Sequence, residues 1–193
     1  YRLRNPHFGR SGGRINPPVN QAVWPIRVTP GTNRAYIPEN MAGHKIKNFT
    51  AACSPWIYRG DLFPADALGN AFACEPALHL VKRDILTMEN GKLVAREAYQ
   101  QREFLASTDE RFRPVSMTTG PDGALYVVDF YRGIIQHRIS LSPYLEKYIQ
   151  DHDLVNPRVL GRIWRIVPEK AKTRPAPNLT KLGSAELVPL LAH

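Results

Sequence analysis

The tetrapeptide Gly120-Pro121-Asp122-Gly123 constrains this chain more than any other stretch. Proline presets the φ of the second turn residue, and Gly123 supplies the positive φ that a side chain resists. Val115–Thr119 on one side and Ala124–Asp129 on the other then read as a hairpin, with Leu125, Val127 and Phe130 in the apolar register. Gly133 permits a second reversal into Ile134–Arg138, and Ile163, Trp164 and Ile166 make a fourth short strand. Any β-meander satisfies these signals. The turn chemistry and strand lengths favour one blade of a β-propeller.

An earlier stretch, Asn48 to about Tyr99, repeats the arrangement one blade length upstream. Asn48–Ile57 reads as an apolar strand broken by Pro55, followed by a loop or short helical turn over Leu62–Leu68. Strands over Asn70–Cys74 and Leu78–Leu86 follow, and Asn90-Gly91 is a strong hairpin turn into Lys92–Ala98. Glu103–Phe112 reads as a connecting loop. Ahead of this unit, Ala22–Thr29 reads as an edge or bulged strand carrying Pro25, with Asn33–Ile37 pairing back. Tyr1–Asn20 reads as irregular, and His44 as a solvated loop residue.

Between the last two strands, Ile139–Leu160 is an insertion. Ser142 at an N-cap, Pro143 at the first helical position and Tyr144, Leu145, Tyr148 and Ile149 at helical spacing predict a helix of about ten residues. The expectation is therefore an all-β fold: a partial β-propeller (later blades) over 1–168, a Pro/Lys-rich linker over 169–182, and the first helix of a repeat module over 183–193. A chain opening without Met, on a charged loop, reads as a piece of a longer protein whose other blades come from an upstream segment or another chain.

Composition narrows the partners. Seventeen prolines and thirteen glycines, gathered between strands, argue for turn-rich β-structure over disorder. The net charge is +9, but the basic residues Arg4, Arg10, Arg14, Arg27, Arg34 and Arg59 stand singly, which argues against nucleic acid. An anionic polysaccharide or an acidic partner suits such a surface. No apolar run reaches the ~20 residues a membrane helix needs. Cys53 and Cys74 sit in similar settings at strand ends. If those strands are neighbours the pair could form a disulfide, implying an oxidising compartment; the alternative is two buried free thiols behaving as small hydrophobes.

Asn5–Phe8, Phe49–Pro55, Ile57–Leu62, Gly69–Pro76, Glu103–Asp109 and Phe112–His137 together resemble the propeller domain of large secreted proteins of planctomycetes and verrucomicrobia called membrane-bound dehydrogenases. That family is similar to the sorbosone and soluble glucose dehydrogenases that use pyrroloquinoline quinone. The likeness runs from about Asn5 to Glu169. It implies a periplasmic or extracellular sugar or alcohol dehydrogenase, with pyrroloquinoline quinone and Ca²⁺ as cofactors, HEAT-type repeats beginning at Ser184–His193, and a c-type cytochrome domain. This chain has no CxxCH, so haem c lies outside it.

A dehydrogenase needs a base for the hydroxyl proton and an electron acceptor, and quinone carboxylates are matched by Arg forks. Asp129 and His137 are the catalytic candidates. Tyr131 and Arg132, with Tyr58 and Arg59 in the corresponding place of the earlier blade, are the cofactor-binding candidates. Each group joins an aromatic, an Arg and an acid (Asp129 or Asp61) after an apolar strand. The competing reading makes both acids turn caps, paired with their arginines to lock blade to blade. Asp151-His152-Asp153 is too compact to suggest a metal site, and none is expected. A non-catalytic propeller that binds carbohydrate or a protein partner is the alternative function.

Overall fold

The computed structural model describes residues 21–27, 41–42, 45–172, 175 and 178–192. Tyr1–Asn20, Asn33–Ile37 and His44 lie outside them. Among the described residues antiparallel strands dominate, with few short helices and no closed barrel.

The first large sheet is a meander of β3 (Cys53–Ile57), β4 (Ala71–Glu75), β5 (Leu80–Glu89) and β6 (Lys92–Glu97). It follows a small ribbon of β1 (Met41–Ala42) and β2 (Lys45–Ile46). The Asn90-Gly91 turn forms as expected, with φ of 51° and 74°, the pair of positive values a tight two-residue hairpin demands. Pro55 falls at a register shift in β3, between Cys53 and Trp56, and Ser54 there has φ 48°. An edge strand tolerates the missing N–H, and the bulge absorbs the extra residue.

The second sheet has three strands in the order β10-β9-β8: β8 is Pro114–Thr119, β9 Leu125–Asp129 and β10 Arg162–Ile166. The Gly120–Gly123 turn closes with Gly123 N–H to the Gly120 carbonyl at 2.9 Å and Gly123 at φ 78°. Asp122 locks it from inside, accepting from Ala124 N–H at 3.2 Å and from Arg165 Nε on β10 at 2.7 Å. The strand expected over Ile134–Arg138 does not form. β8 and β10 occupy both edges of β9, so no position in the ladder remains, and Ile134 turns instead to pack on the helix of the insertion.

Other expectations are also revised. The Ala22–Thr29 strand reduces, within the described residues, to one bridge between Val23 and Ile46. The connecting loop 103–112 contains β7 (Leu105–Ala106), which pairs with the start of β5. The helix of the insertion, α1 (Pro143–Asp151), begins where Ser142 and Pro143 place it, with Ser142 Oγ accepting from Leu145 N–H at 3.2 Å. Past Gly183, α2 (Ser184–Leu187) is a single turn continued by a 3₁₀ segment over Val188–Ala192.

The two large sheets share one core. Tyr58, Phe72, Cys74 and Val81 from the first meet Met117, Leu125 and Val127 from the second, with Trp56 and Ile166 at the margin. Period-two alternation explains the second set: Leu125, Val127 and Asp129 point inward from β9, and Val128 outward. Polar contacts tie β3 directly to β8. Trp56 Nε1 donates to Thr119 Oγ1 at 2.9 Å, and Met117 N–H donates to Ser54 Oγ at 3.3 Å. A smaller core of Val23, Ile46, Leu78 and Leu80 lies beneath the ribbon. A third, of Leu145, Ile149 and Leu154, seats α1.

Candidate functional site

The segment leaving β9, Asp129-Phe130-Tyr131-Arg132-Gly133, carries most of the residues singled out from the sequence. Asp129 is buried, and its oxygens are committed to N–H donors. Oδ1 accepts from the backbone N–H of Arg113 and of Tyr131, both at 2.8 Å, and Oδ2 from Trp164 Nε1 at 3.0 Å. Those bonds fasten β8, β9 and β10 to one another at one end and hold Tyr131 at φ 46°, a conformation costly for a non-glycine residue. The carboxylate is thus a turn fastener, as the capping reading expected, but its partner is not Arg132.

The residue that clamps the segment was not singled out from the sequence. Arg113 is fully buried. Its guanidinium donates to the carbonyls of Arg132 (2.8 Å) and Gly133 (2.6 Å), and across to Pro76 of the first sheet (2.7 Å). Burial pulls its pKa down to about 10, against the acids Glu110, Asp129, Asp109 and Glu75, so it stays cationic at neutral pH. Its partners lie 19, 20 and 37 residues away, and no local spacing announces them. Beside it His79, at φ 60°, is buried with Nδ1 2.9 Å from the Phe112 carbonyl. Burial first, then the Arg113 charge, push its pKa down to about 4. The ring is therefore neutral at pH 7, with Nδ1–H donating to that carbonyl.

Tyr131 and Arg132 are half-buried. The Arg162 guanidinium lies 3.7 Å from the Tyr131 ring centroid and 5.6 Å from that of Trp164, while Arg132 stacks at 5.7 Å over Phe130. Phe130 is 50% and Trp164 42% exposed. The result is an aromatic-basic surface built from the end of β9 and the start of β10. Partial desolvation, then the neighbouring Asp109, raise the Tyr131 hydroxyl above its ordinary pKa. His137 is exposed, precedes a 3₁₀ turn over Arg138–Ser140, and makes no hydrogen bond to Asp129. The two catalytic candidates are therefore not hydrogen-bonded to each other.

The earlier group is not a structural copy of this one. Tyr58 follows the edge strand β3, whereas Tyr131 follows the central strand β9. Tyr58 is fully buried, with its hydroxyl donating to the Gly123 carbonyl at 2.6 Å and accepting from Leu62 N–H at 3.1 Å and Phe63 N–H at 3.0 Å. It is a fastener between sheets, like Asp129, while the neighbouring Arg59 is exposed.

Cys53 and Cys74 are register partners on β3 and β4, and both thiols are free. Burial, and secondarily the neighbouring thiol, push Cys74 up to about 12; burial and then Glu75 raise Cys53 as well.

Among the described residues no group of three His, Cys, Asp or Glu side chains gathers as a metal site. His152 instead stacks on Tyr148, with Nδ1 2.9 Å from the Tyr148 carbonyl. A Ca²⁺ cage needs six to eight oxygen ligands, and Asp129, the acid singled out from the sequence, has its oxygens engaged by N–H donors. The residues described here do not fit a calcium-quinone centre by themselves. No helix among them is long and apolar enough to cross a membrane.

No curated protein and no solved structure matches the chain. Residues 2–170 match the model of a family described as Domain of unknown function (DUF7133), which spans both sheets and the insertion; the chain belongs to that family.

Proposed function

We propose that this chain supplies later blades of a β-propeller in a secreted sugar or alcohol dehydrogenase-like protein. The observation that carries the reading is the stacking of two antiparallel meanders through a common core, with edge strand β3 laid against edge strand β8. Successive blades of a propeller pack in this way. The sequence likeness supplies the chemistry: electrons pass from the substrate to a quinone, or to a haem domain elsewhere in the protein. In this proposal the chain's share is framework. Asp129, Arg113 and Tyr58 fix the strand ends, and pyrroloquinoline quinone and Ca²⁺ are held chiefly by blades contributed from an upstream segment or another chain. The compartment is periplasmic or extracellular, and there the register partners Cys53 and Cys74 would pair as a disulfide. α2 opens a helical repeat.

A second reading has an observation of its own. The Phe130, Tyr131, Arg132, Arg162 and Trp164 surface pairs exposed rings with cations, which suits a non-catalytic propeller that binds an acidic carbohydrate or a protein partner.

The test is made on the intact protein purified from its source. Quinone or haem absorbance, together with alcohol-dependent dye reduction that rises on adding quinone and Ca²⁺, supports the dehydrogenase. A protein with neither chromophore and no activity after that addition, but retarded on an acidic-polysaccharide column, establishes the binding reading instead.

A further inference from the structure

The insertion borders a half-open cavity that the dehydrogenase reading does not use. It lies between the segment 132–141, α1 and the residues after the helix, with a volume of about 220 Å³. That is room for about seven waters' worth of liquid, below the range of drug-sized pockets. Its walls are mainly apolar, with Ile134, Leu141 and Leu154 among them, and its polar lining comes from Arg132, Gln136 and Arg158.

The charge on those walls is one-sided. Arg132 and Arg158 line the cavity and no acid does. Among the described residues neither Arg132 nor Arg158 donates a hydrogen bond to the protein; Arg132 only stacks on Phe130, which leaves its in-plane N–H groups available. The acid that ends the covering helix, Asp151, is already paired with Lys147 at 2.7 Å. The frame is braced independently of any ligand. Arg111 Nη2 holds the carbonyls of Asp153 (2.8 Å) and Asn156 (2.9 Å), and Arg113 holds Arg132 and Gly133 from behind. A cavity with an apolar wall and two uncommitted cations suits one kind of molecule. We propose that it binds a small organic carboxylate with a compact apolar body, of about ten non-hydrogen atoms given the liquid volume available.

Phenylacetate is the probe, titrated into the full chain by calorimetry and by NMR of the Ile134 and Leu154 methyl groups. Saturable binding with shifts at both methyl groups is expected. Phenylacetamide, which keeps the shape and loses the charge, should bind about tenfold more weakly, the scale of a lost charge-assisted hydrogen bond. Acetate, which keeps the charge and loses the ring, should bind at least about tenfold more weakly. The Arg132→Gln, Arg158→Gln double variant, its fold checked by circular dichroism, should no longer prefer phenylacetate over the amide. Equal binding of acid and amide to the wild type overturns the proposal, as does a preference that survives in the double variant. So does an absence of saturation up to concentrations of about 20 mM, where an interaction is too weak to be a site. None of these outcomes depends on dehydrogenase activity.

Discussion

Tyr58 donates to the carbonyl of Gly123 at 2.6 Å, joining the end of one sheet's edge strand to the tight turn of the next across 65 residues of sequence. The contact is possible only because the turn offers no side chain at that point. A Cβ on Gly123 would meet Asp61 Oδ1 at 2.7 Å, and one on Gly60 would meet the Tyr58 hydroxyl at 2.6 Å.

Tyr58→Phe keeps the ring and removes the fastener. It leaves the Gly123 carbonyl and the N–H groups of Leu62 and Phe63 without their partner. A loss of about 2–3 kcal/mol is expected, read as a lower urea midpoint at unchanged slope. A loss under about 0.5 kcal/mol would mean that water replaces the hydroxyl at little cost.

Two glycines with nearly the same φ should respond differently to alanine. Gly91 (φ 74°) has nothing within 4 Å of an added Cβ, so Gly91→Ala carries only the left-handed backbone penalty, about 1 kcal/mol. Gly123→Ala (φ 78°) carries the same penalty plus the collision with Asp61 and Leu62. It should cost at least about 1 kcal/mol more. Equal losses in chemical denaturation would show that the loop 60–62 yields freely.

His79 makes stability depend on pH. Its folded pKa of about 4 lies below its ordinary 6.5, so the unfolded chain binds the extra proton first. Its contribution is complete above pH 6.5 and is lost as the pH falls toward 4. Asp84 and Glu103, which burial pushes up to about 6 and about 7, act in the opposite direction over part of that range. The quantity to read is therefore the difference between His79→Gln and wild type. The variant should gain about 2–3 kcal/mol relative to wild type between pH 7 and pH 4. A pH-independent difference would place the ring in water.

The thiols of reduced protein should be slow to react. With Cys74 pushed up to about 12 and Cys53 raised as well, little thiolate exists at neutral pH, and Cys74 is buried and Cys53 half-buried. Alkylation of the folded chain should run at least about tenfold slower than in denaturant. Labelling at the unfolded rate would contradict the packing of β3 on β4.

Short-range chemistry was legible in the sequence. Asn90-Gly91, Gly120–Gly123 and Ser142-Pro143 each carry their instruction within four residues, and each forms its turn or cap. The strand expected over Ile134–Arg138 had the right residue types, but competition decides a ladder position, and β10, arriving after the insertion, occupies it. The roles of Tyr58, Asp129 and Arg113 were hidden for a related reason. Whether a buried polar side chain fastens the frame or serves chemistry depends in part on a distant carbonyl or N–H, such as the Arg113 N–H 16 residues from Asp129 or the Gly123 carbonyl 65 residues from Tyr58. Only the fold brings them near.

The insertion has a further consequence. The chain leaves the second sheet at Asp129 and re-enters it at Arg162, and these two residues are register partners on β9 and β10. Antiparallel partners sit about 5 Å apart, so the whole excursion, helix included, begins and ends at nearly one point. An appendage attached through so narrow a neck can be lengthened, trimmed or exchanged for another without shifting any strand it interrupts. A lineage built on this frame could vary what it grips at that site while leaving its sheets unchanged.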